Sequence, residues 1–483
     1  MKCPHSLIVL ALAVGLGGCA IGPDYQRPDL QVPASFKEAE GWRLAQPQDL
    51  LKRGAWWELY GDATLNDLQR KLLAANQTLA QSEASYRQAV ALTKGSRSSF
   101  FPSVSANAGK TRSGQGGSGG TVRLPDGSTV SSGSSGGIST SYDTSIGVSW
   151  ELDLWGKLRR QLESDTASMD ASAADLAASR LSLQSQLAQN YLQLRVLDQQ
   201  KRLLDDTVQA YQRSLTLTTN QYNAGIVTKA DVAQARTQLK STEAQAIDLA
   251  YQRAQLEHAI AVLVGLPPAQ FDLPVVDGVP QLPALPTVLP SQLLERRPDV
   301  AAAERRVIAA NAQIGVAKTA WFPDLTLSAT GGYRSGSLDN WISTPNRFWS
   351  IGPQFAMVLF DGGFIASQVE QAEASYDQTV ASYRQTVLDG FREVEDYMVQ
   401  LDVLEQESAV QQEALDAARE ALRLTSNQYK AGTVDYTSVV TTQTTALNNE
   451  RTVLSLLGNR LTASVQLIAA LGGGWDSAQI AKQ

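Results

Sequence analysis

Side chains able to do covalent or metal chemistry are scarce in this sequence of 483 residues, which contains two cysteines and two histidines. Cys3 and Cys19 both lie near the start, so the body of the chain can build neither a disulfide framework nor a thiolate metal site. Gly116-Gly117-Ser118-Gly119-Gly120 and Gly133-Ser134-Ser135-Gly136-Gly137 satisfy the spacing of a serine nucleophile elbow. That chemistry needs a histidine base. Only the distant His258, on a heptad-patterned helix and best read as a surface or interface residue, is at hand outside the first few residues, so both matches read as low-complexity coincidence. Gly109-Lys110-Thr111 imitates the end of a phosphate-binding loop but lacks that motif's upstream glycine. The sequence therefore offers no catalytic residues, no metal site and no cofactor site, and it does not read as an enzyme.

One reactive residue has a context. Lys2 and His5 precede an apolar run from Leu7 to Leu16, followed by Gly17, Gly18 and Cys19. The run is shorter than the roughly 20 residues of a spanning helix, and residues 1–18 read as a secretory signal peptide. Leu16-Gly17-Gly18-Cys19 resembles the lipobox of bacterial lipoproteins, which makes Cys19 the acylated first residue of the mature chain. Ala20, rather than Asp, at the next position is similar to lipoproteins sent on to the outer membrane. A single acyl chain anchors only marginally, so a second membrane attachment is expected.

Composition narrows the classes. Hydrophobic residues make up 43%, charged residues 18% and aromatics 7%, with a net charge of -7 and a mean hydropathy of -0.18. This excludes wholesale disorder and a polytopic helical membrane protein. No Lys/Arg-rich block marks a nucleic-acid surface.

The elements that position everything else come in two copies. Asn220-Gln221-Tyr222-Asn223-Ala224-Gly225 matches Asn427-Gln428-Tyr429-Lys430-Ala431-Gly432 without gaps, 207 positions later, and Phe100-Phe101-Pro102 matches Trp321-Phe322-Pro323. The chain is an internal duplication. It divides into a lipidated N-terminal segment at 19–60, a first repeat at 61–265, a Pro-rich connector at 266–296, a second repeat at 297–472 and a tail at 473–483. Each repeat reads as helix, strand, loop, strand, long helix, tight Gly turn, long helix. Val232, Ala235, Leu239, Thr242, Ala246, Leu249, Arg253, Leu256, Ile260 and Leu263 recur at spacings of three and four, the mark of a coiled-coil seam. Lys157 to Tyr222 contains neither Gly nor Pro, and as one helix it would run on the order of 100 Å.

Strands are expected near 102–111, 141–154, 324–333 and 349–360. Tyr142, Thr144, Ile146, Val148, Trp150 and Leu152 alternate with polar or small residues, and Trp349, Ile351, Pro353, Phe355, Met357 and Leu359 repeat the pattern. Such strands suit a transmembrane β-barrel, with one face to lipid and the other to water, and equally a soluble half-buried sheet. Pro353 suggests a bulge or a barrel rim. Four membrane strands cannot close alone, since about eight make the smallest barrel, so the membrane reading demands an oligomer. The Gly/Ser-rich run from Ser113 to Gly137 and the stretch from Arg334 to Phe348 read as mobile extracellular loops.

With these features in place the chain resembles the TolC-like outer membrane efflux proteins, in particular the lipidated OprM/NodT branch. The carriers are Cys19-Ala20-Ile21-Gly22-Pro23-Asp24-Tyr25, Trp56-Trp57 with Tyr60-Gly61-Asp62, Trp150-Glu151-Leu152-Asp153-Leu154-Trp155-Gly156, Arg297-Pro298-Asp299-Val300, and Phe360-Asp361-Gly362-Gly363. The resemblance implies an α+β membrane protein that forms a homotrimer, with a 12-stranded β-barrel above a 12-helix periplasmic α-barrel. It implies an exit duct for small toxic compounds, served by a periplasmic adaptor and an inner-membrane pump. A duct for secreted peptides or proteins is the alternative, and a periplasmic adaptor lipoprotein without membrane strands or a pore-less structural stalk are further ones. By the same resemblance the turns after Tyr222 and Tyr429, with Gly225 and Gly432 at their left-handed positions, are the periplasmic gate. Tyr429 and Asp231 match two members of the family's lock, while Val434 stands at the arginine position. Ser438 and Thr441 replace the aspartate ring, for which Asp435 is the nearby substitute. Asp231 also fits a plainer role at the start of its helix.

Overall fold

The computed structural model describes residues 20–30, 32–39, 55–114, 119–133, 138–283 and 296–475. The expected signal peptide, Cys19, residues 284–295 of the connector and the tail from 476 lie outside them, as do most residues of both serine-elbow matches. The described chain is α+β and falls into two compact units. One holds the residues up to Arg27, Ala89–Met169 and Arg306–Thr379; the other holds Pro28–Gln88, Asp170–Arg305 and the residues from Val380 onward.

In chain order the elements are α1 (Ala63–Ala75), α2 (Gln77–Ser98), β1 (Ser103–Gly114), β2 (Gly119–Arg123), β3 (Thr129–Gly133), β4 (Ile138–Leu152), α3 (Lys157–Asn223), α4 (Lys229–Leu263), α5 (Pro298–Thr319), β5 (Asp324–Ser335), β6 (Arg347–Ala356), α6 (Phe364–Lys430) and α7 (Tyr436–Ala470). The duplication reaches the backbone. Helices α3 and α6 have 67 residues each, α4 and α7 have 35 each, and every bound in the second pair is the bound in the first plus 207.

The sheet belongs to the first unit and runs β1-β4-β5-β6, antiparallel throughout, so β1 and β6 are open edges. Pro353 pairs with Leu327 in unbroken register and makes no bulge. Within a single copy β6 is the edge strand, the position to which sheets confine proline. Strand β6 stops at Ala356, before Met357 and Leu359. Among the described residues of the Gly/Ser-rich run, β2 and β3 pair as a separate hairpin that the composition does not announce. Its turn is Leu124-Pro125-Asp126-Gly127-Ser128, closed by Gly127 N–H to Leu124 O at 3.0 Å and Leu124 N–H to Ser128 O at 2.9 Å. Gly127 has φ +88°, and the Pro-Asp-Gly order supplies the turn chemistry.

Short sequence motifs pin the strand and helix junctions of this unit. Asp153 accepts from the Leu158 and Arg159 amides at 2.9 and 3.1 Å, capping α3, and Asp361 does the same for Gly363 and Ile365 ahead of α6. Those bonds hold the Asp361 carboxyl below its ordinary range. The N-terminal segment docks here too. Ile21 N–H donates to Trp155 O at 3.0 Å, Arg160 donates to Asp24 at 2.9 Å, and Asn311 donates to Pro23 O at 2.9 Å.

The second unit holds the main core. Leu65, Leu68, Leu72, Leu187, Tyr191, Leu194, Ile260, Leu461 and Ile468 pack around Trp56, Trp57 and Tyr60. Asp62 serves two purposes: it caps α1 through Leu65 N–H at 2.9 Å and accepts from the Tyr191 hydroxyl at 2.7 Å. The heptad seam of α4 buries Ala235, Leu239, Thr242, Ala246, Leu249, Ile260 and Leu263. Its Arg253 instead pairs with buried Asp198 at 2.7 Å and with Glu257 at 2.8 Å. Arg297 closes the unit by gripping Asp299 at 2.7 Å, Glu393 at 2.8 Å and the Ala470 carbonyl at 3.2 Å.

Candidate functional site

Two features have geometry beyond simple folding: the paired helical turns of the second unit and the exposed face of the sheet in the first. His258 is exposed on α4, and Gly109-Lys110-Thr111 lies inside β1 rather than in a loop. No cluster of metal-ligating side chains occurs among the described residues.

The two turns are built alike. After α3, Gly225 N–H donates to Tyr222 O at 2.9 Å and Ile226 N–H to Gln221 O at 2.9 Å. After α6, Gly432 N–H donates to Tyr429 O at 2.9 Å and Thr433 N–H to Gln428 O at 3.0 Å. The six-to-one bond with a left-handed residue beside it is the Schellman stop. Gly225 and Gly432 hold φ +73° and +71°, which a residue with a Cβ adopts only at a cost.

Each turn then starts a helix with a carboxylate, by different means. Asp231 forms a capping box with Thr228: its carboxylate accepts from the Thr228 amide and hydroxyl at 2.8 Å each, and its own amide donates to the Thr228 hydroxyl at 3.3 Å. Asp435 is itself the N-cap of α7, accepting from the Ser438 amide at 2.9 Å and hydroxyl at 2.7 Å. The Ser438 bonds hold the Asp435 carboxyl below its ordinary range.

Tyr429 bridges the hairpins, and not to the residue the resemblance suggests. Its hydroxyl donates to Gln221 Oε1 at 3.0 Å, while the Asp231 carboxylate bonds within its own turn. Burial raises the Tyr429 pKa; a Thr218 hydrogen bond opposes the rise, and the charge of nearby Asp231 adds to it. The Tyr429 ring leans on Tyr436 with centroids 5.5 Å apart, and the Tyr436 hydroxyl shares a 3.0 Å bond with Ser214. A small apolar cluster of Ala235, Tyr436 and Val439, with Leu215, Tyr429 and Val440 at its edge, underlies these bonds. Gln221, Ser214 and Tyr436 were not singled out from sequence. The one available signal was that Gln221 and Gln428 lie within the duplicated Asn-Gln-Tyr motif.

The sheet's two faces differ sharply. Val104, Ala106 and Ala108 of β1 stand level with Val148, Ile146 and Thr144 of β4. The row continues through Ala329, Gly331 and Tyr333 of β5 to Ile351, Trp349 and Arg347 of β6. The other face presents Ser105, Asn107, Ser145, Ser149, Thr326, Ser328, Thr330, Ser350 and Gln354. The apolar face is open: Val104, Ile146, Trp349, Ile351 and Phe355 are each more than half exposed. From Leu152 to Tyr142 the strand covers about 33 Å at 3.3 Å per residue, and a barrel tilt brings that near the roughly 25 Å apolar band of an outer-membrane barrel.

A sheet with one lipid-matched face and two open edges, in a chain of long polar helical hairpins, defines a β-strand channel protein of the bacterial outer membrane. The family model described as outer membrane efflux protein matches residues 68–266 and 289–473, and the chain belongs to that family. It is similar to the probable efflux pump outer membrane protein SepC of Pseudomonas putida, 31% identical over 97% of this chain and 96% of the relative. The toluene efflux pump outer membrane protein TtgF of Pseudomonas putida matches with the same identity and coverage. Among solved structures, the outer-membrane channel OprN superposes with a TM-score of 0.83 at 30% identity, covering 95% of this chain and 100% of that one. The protein is thus an outer-membrane exit duct of an efflux system.

Proposed function

We propose that three copies close a 12-stranded barrel and conduct small toxic compounds passively, delivered by an inner-membrane pump through a periplasmic adaptor. The open edges β1 and β6 carry this reading. A bilayer core supplies no water to satisfy unpaired backbone groups, so an apolar-faced sheet of four strands must find partners there. Strand order supports the closure: β1 and β6 run in opposite directions, so β6 of one copy can pair antiparallel with β1 of the next. Because the relative TtgF is named for toluene efflux, small apolar toxicants are the cargo proposed here. The reading needs no catalytic residue and no cofactor.

Two finer assignments belong to the same proposal. Cys19 carries covalent lipid, and the place of the following residue supports it: a Cβ on Gly156 would come within 2.7 Å of the Ala20 Cα, so Ala20 sits at the helix-junction end of the sheet, where one edge of the apolar band falls. The turns carrying Tyr222, Gly225, Asp231, Tyr429, Gly432 and Asp435 form the resting gate, with the Tyr429 to Gln221 bond as its latch within each copy.

Conductance of the detergent-purified protein in a planar bilayer, together with its mass in solution, tests the function. A trimeric mass with discrete channel openings is expected. A monodisperse single copy soluble without detergent would sink the proposal.

A further inference from the structure

The charged residues of the four-stranded sheet are sorted by face. Asp143 and Glu151 of β4 and Asp324 of β5 alternate onto the polar face with Arg334. Lys110 and Arg112 of β1 and Arg347 of β6 stand on the apolar face. No carboxylate of these strands shares that face. Among the described residues none of the three cations has an ion-pair partner, and Arg112 and Arg347 are exposed. Lys110 instead lies over the Tyr142 ring, 5.3 Å from its centroid. Tyr142 in turn meets Trp341 of the β5–β6 loop at 6.1 Å.

Height on the sheet is the second observation. Arg347 is level with Tyr333, and Lys110 with Tyr142 and Ser335; Arg112 is one row further toward the loops. All three therefore sit where the apolar band gives way to aromatic and polar side chains, at the end away from the helix junctions. The junction end of the same face carries Leu152, Leu325 and Phe355 and no strand cation. A general need for snorkelling residues would place cations at both borders.

We infer that this border is a binding site for the phosphorylated sugar headgroup of an outer-leaflet glycolipid, completed by a second copy of the chain. The inference rests on the barrel reading given above. Within one sheet, Lys110 and Arg112 lie on one edge strand and Arg347 on the other, about 14 Å apart at three strand spacings. When β6 of one copy meets β1 of the next, their loop ends coincide, and Arg347 joins Lys110 and Arg112 at the seam. Arginine and lysine donors then face one phosphate-rich headgroup while Val104, Ile351 and Trp349 below them meet its acyl chains. The Tyr142 and Trp341 rings flank the sugar.

The test uses the full-length trimer in nanodiscs of zwitterionic lipid, doped with bisphosphorylated lipid A or with its dephosphorylated form. Native mass spectrometry counts the retained glycolipid. Quenching of Trp349 by brominated acyl chains reports separately whether this face is in lipid, so failure of the barrel reading is told apart from failure of the site. The wild type should retain the bisphosphorylated form at least about tenfold better, since each cation near an anionic lipid surface contributes on the order of a fivefold gain. Lys110→Gln with Arg112→Gln and Arg347→Gln should abolish that preference, whereas Arg334→Gln on the opposite face should leave it intact. Where the triple variant does not form trimers, the single Arg347→Gln variant should still weaken retention several-fold. Indifference of the wild type to the phosphates, unchanged retention in the variants, or release of the lipid by millimolar inorganic phosphate would each overturn the assignment.

Discussion

The phenol of Tyr429 on α6 donates to Gln221 on α3 at 3.0 Å, so the end of one hairpin's first helix is tied to its counterpart in the other. Asp231 is engaged with Thr228 in its own turn. The proposed latch is thus neutral, and if these turns close the channel as proposed, its removal should loosen them without leaving an unpaired charge. A neutral hydrogen bond contributes about 0.5–1.5 kcal/mol. Tyr429→Phe or Gln221→Ala should therefore raise resting conductance by about two- to tenfold. Asp231→Asn should change it little. A larger effect from Asp231→Asn than from Tyr429→Phe would return the lock to the aspartate.

Alkali should act on the same latch. The Tyr429 pKa is raised in the folded protein by burial, with the Asp231 charge adding to it. The folded state therefore holds the phenolic proton more tightly than the unfolded chain does. Its contribution to stability is complete below the ordinary value of 10.0 and is lost as pH rises through the higher folded value. Resting conductance should climb above pH 10, and Tyr429→Phe should flatten that part of the profile. An identical alkaline rise in the variant would assign the titration to another group.

Close backbone contact explains the Ala20-Ile21-Gly22-Pro23-Asp24 motif. Gly22 has φ +111°, and a Cβ there would fall 2.5 Å from the Gly315 Cα; one on Gly315 would meet the Ile21 carbonyl at 2.8 Å. Gly22→Ala adds both a clash and a left-handed penalty, and should cost about 1–3 kcal/mol. Gly61→Ala, at φ +64° with open space around it, should cost less. Heat-modifiable gel migration and thermal denaturation in detergent would rank the two, and equal losses would leave the Gly22 contact without energetic weight.

Arg297 explains the Arg-Pro-Asp motif in a similar way. Burial alone would lower its pKa, but the bonds to Asp299 and Glu393 outweigh that and raise it. Only the guanidinium is buried, and Asp299 and Glu393 reach solvent, so removing Arg297 leaves both carboxylates partly hydrated and costs less than the roughly 3–5 kcal/mol of a fully buried pair. Arg297→Ala should lower the denaturation temperature well beyond Arg392→Ala, whose pairs to Asp389 and Asp396 are exposed. Arg297→Lys should rescue only part of the loss, because an ammonium cannot reproduce the forked contact.

The sequence disclosed elements in proportion to how far their signals were local. The 207-residue repeat, the Gly turns and the alternation from Tyr142 to Leu152 are all short-range patterns, and each corresponds to a backbone feature. The β2–β3 hairpin was obscured because Gly and Ser dominate its strands, leaving only Thr121, Val122, Thr129 and Val130 to signal extension. The Tyr429 partner was obscured for a different reason. Gln221 and Asp231 are both within reach in sequence, and only packing decides that Asp231 turns back to Thr228. Likewise Gly22 and Gly315 are almost 300 positions apart, and nothing local announces their contact.

Facing can be decided by a pair of adjacent substitutions. Ile351 and Ser350 are neighbours on β6, and they point to opposite faces because side chains alternate along a strand. Ile351 is level with Ala329 and Ser350 with Thr330, both inside the apolar band. A lysine on a lipid face near midplane costs about 2–4 kcal/mol, while one on a water-filled interior costs little and alters ion selectivity. Ile351→Lys should therefore reduce assembled trimer in the outer membrane severalfold, and Ser350→Lys should assemble normally and shift the channel's selectivity toward anions. Fractionation with heat-modifiable migration measures the first effect and reversal potential measures the second. The reverse pattern would turn the sheet inside out, and with it the faces assigned to Lys110, Arg112 and Arg347.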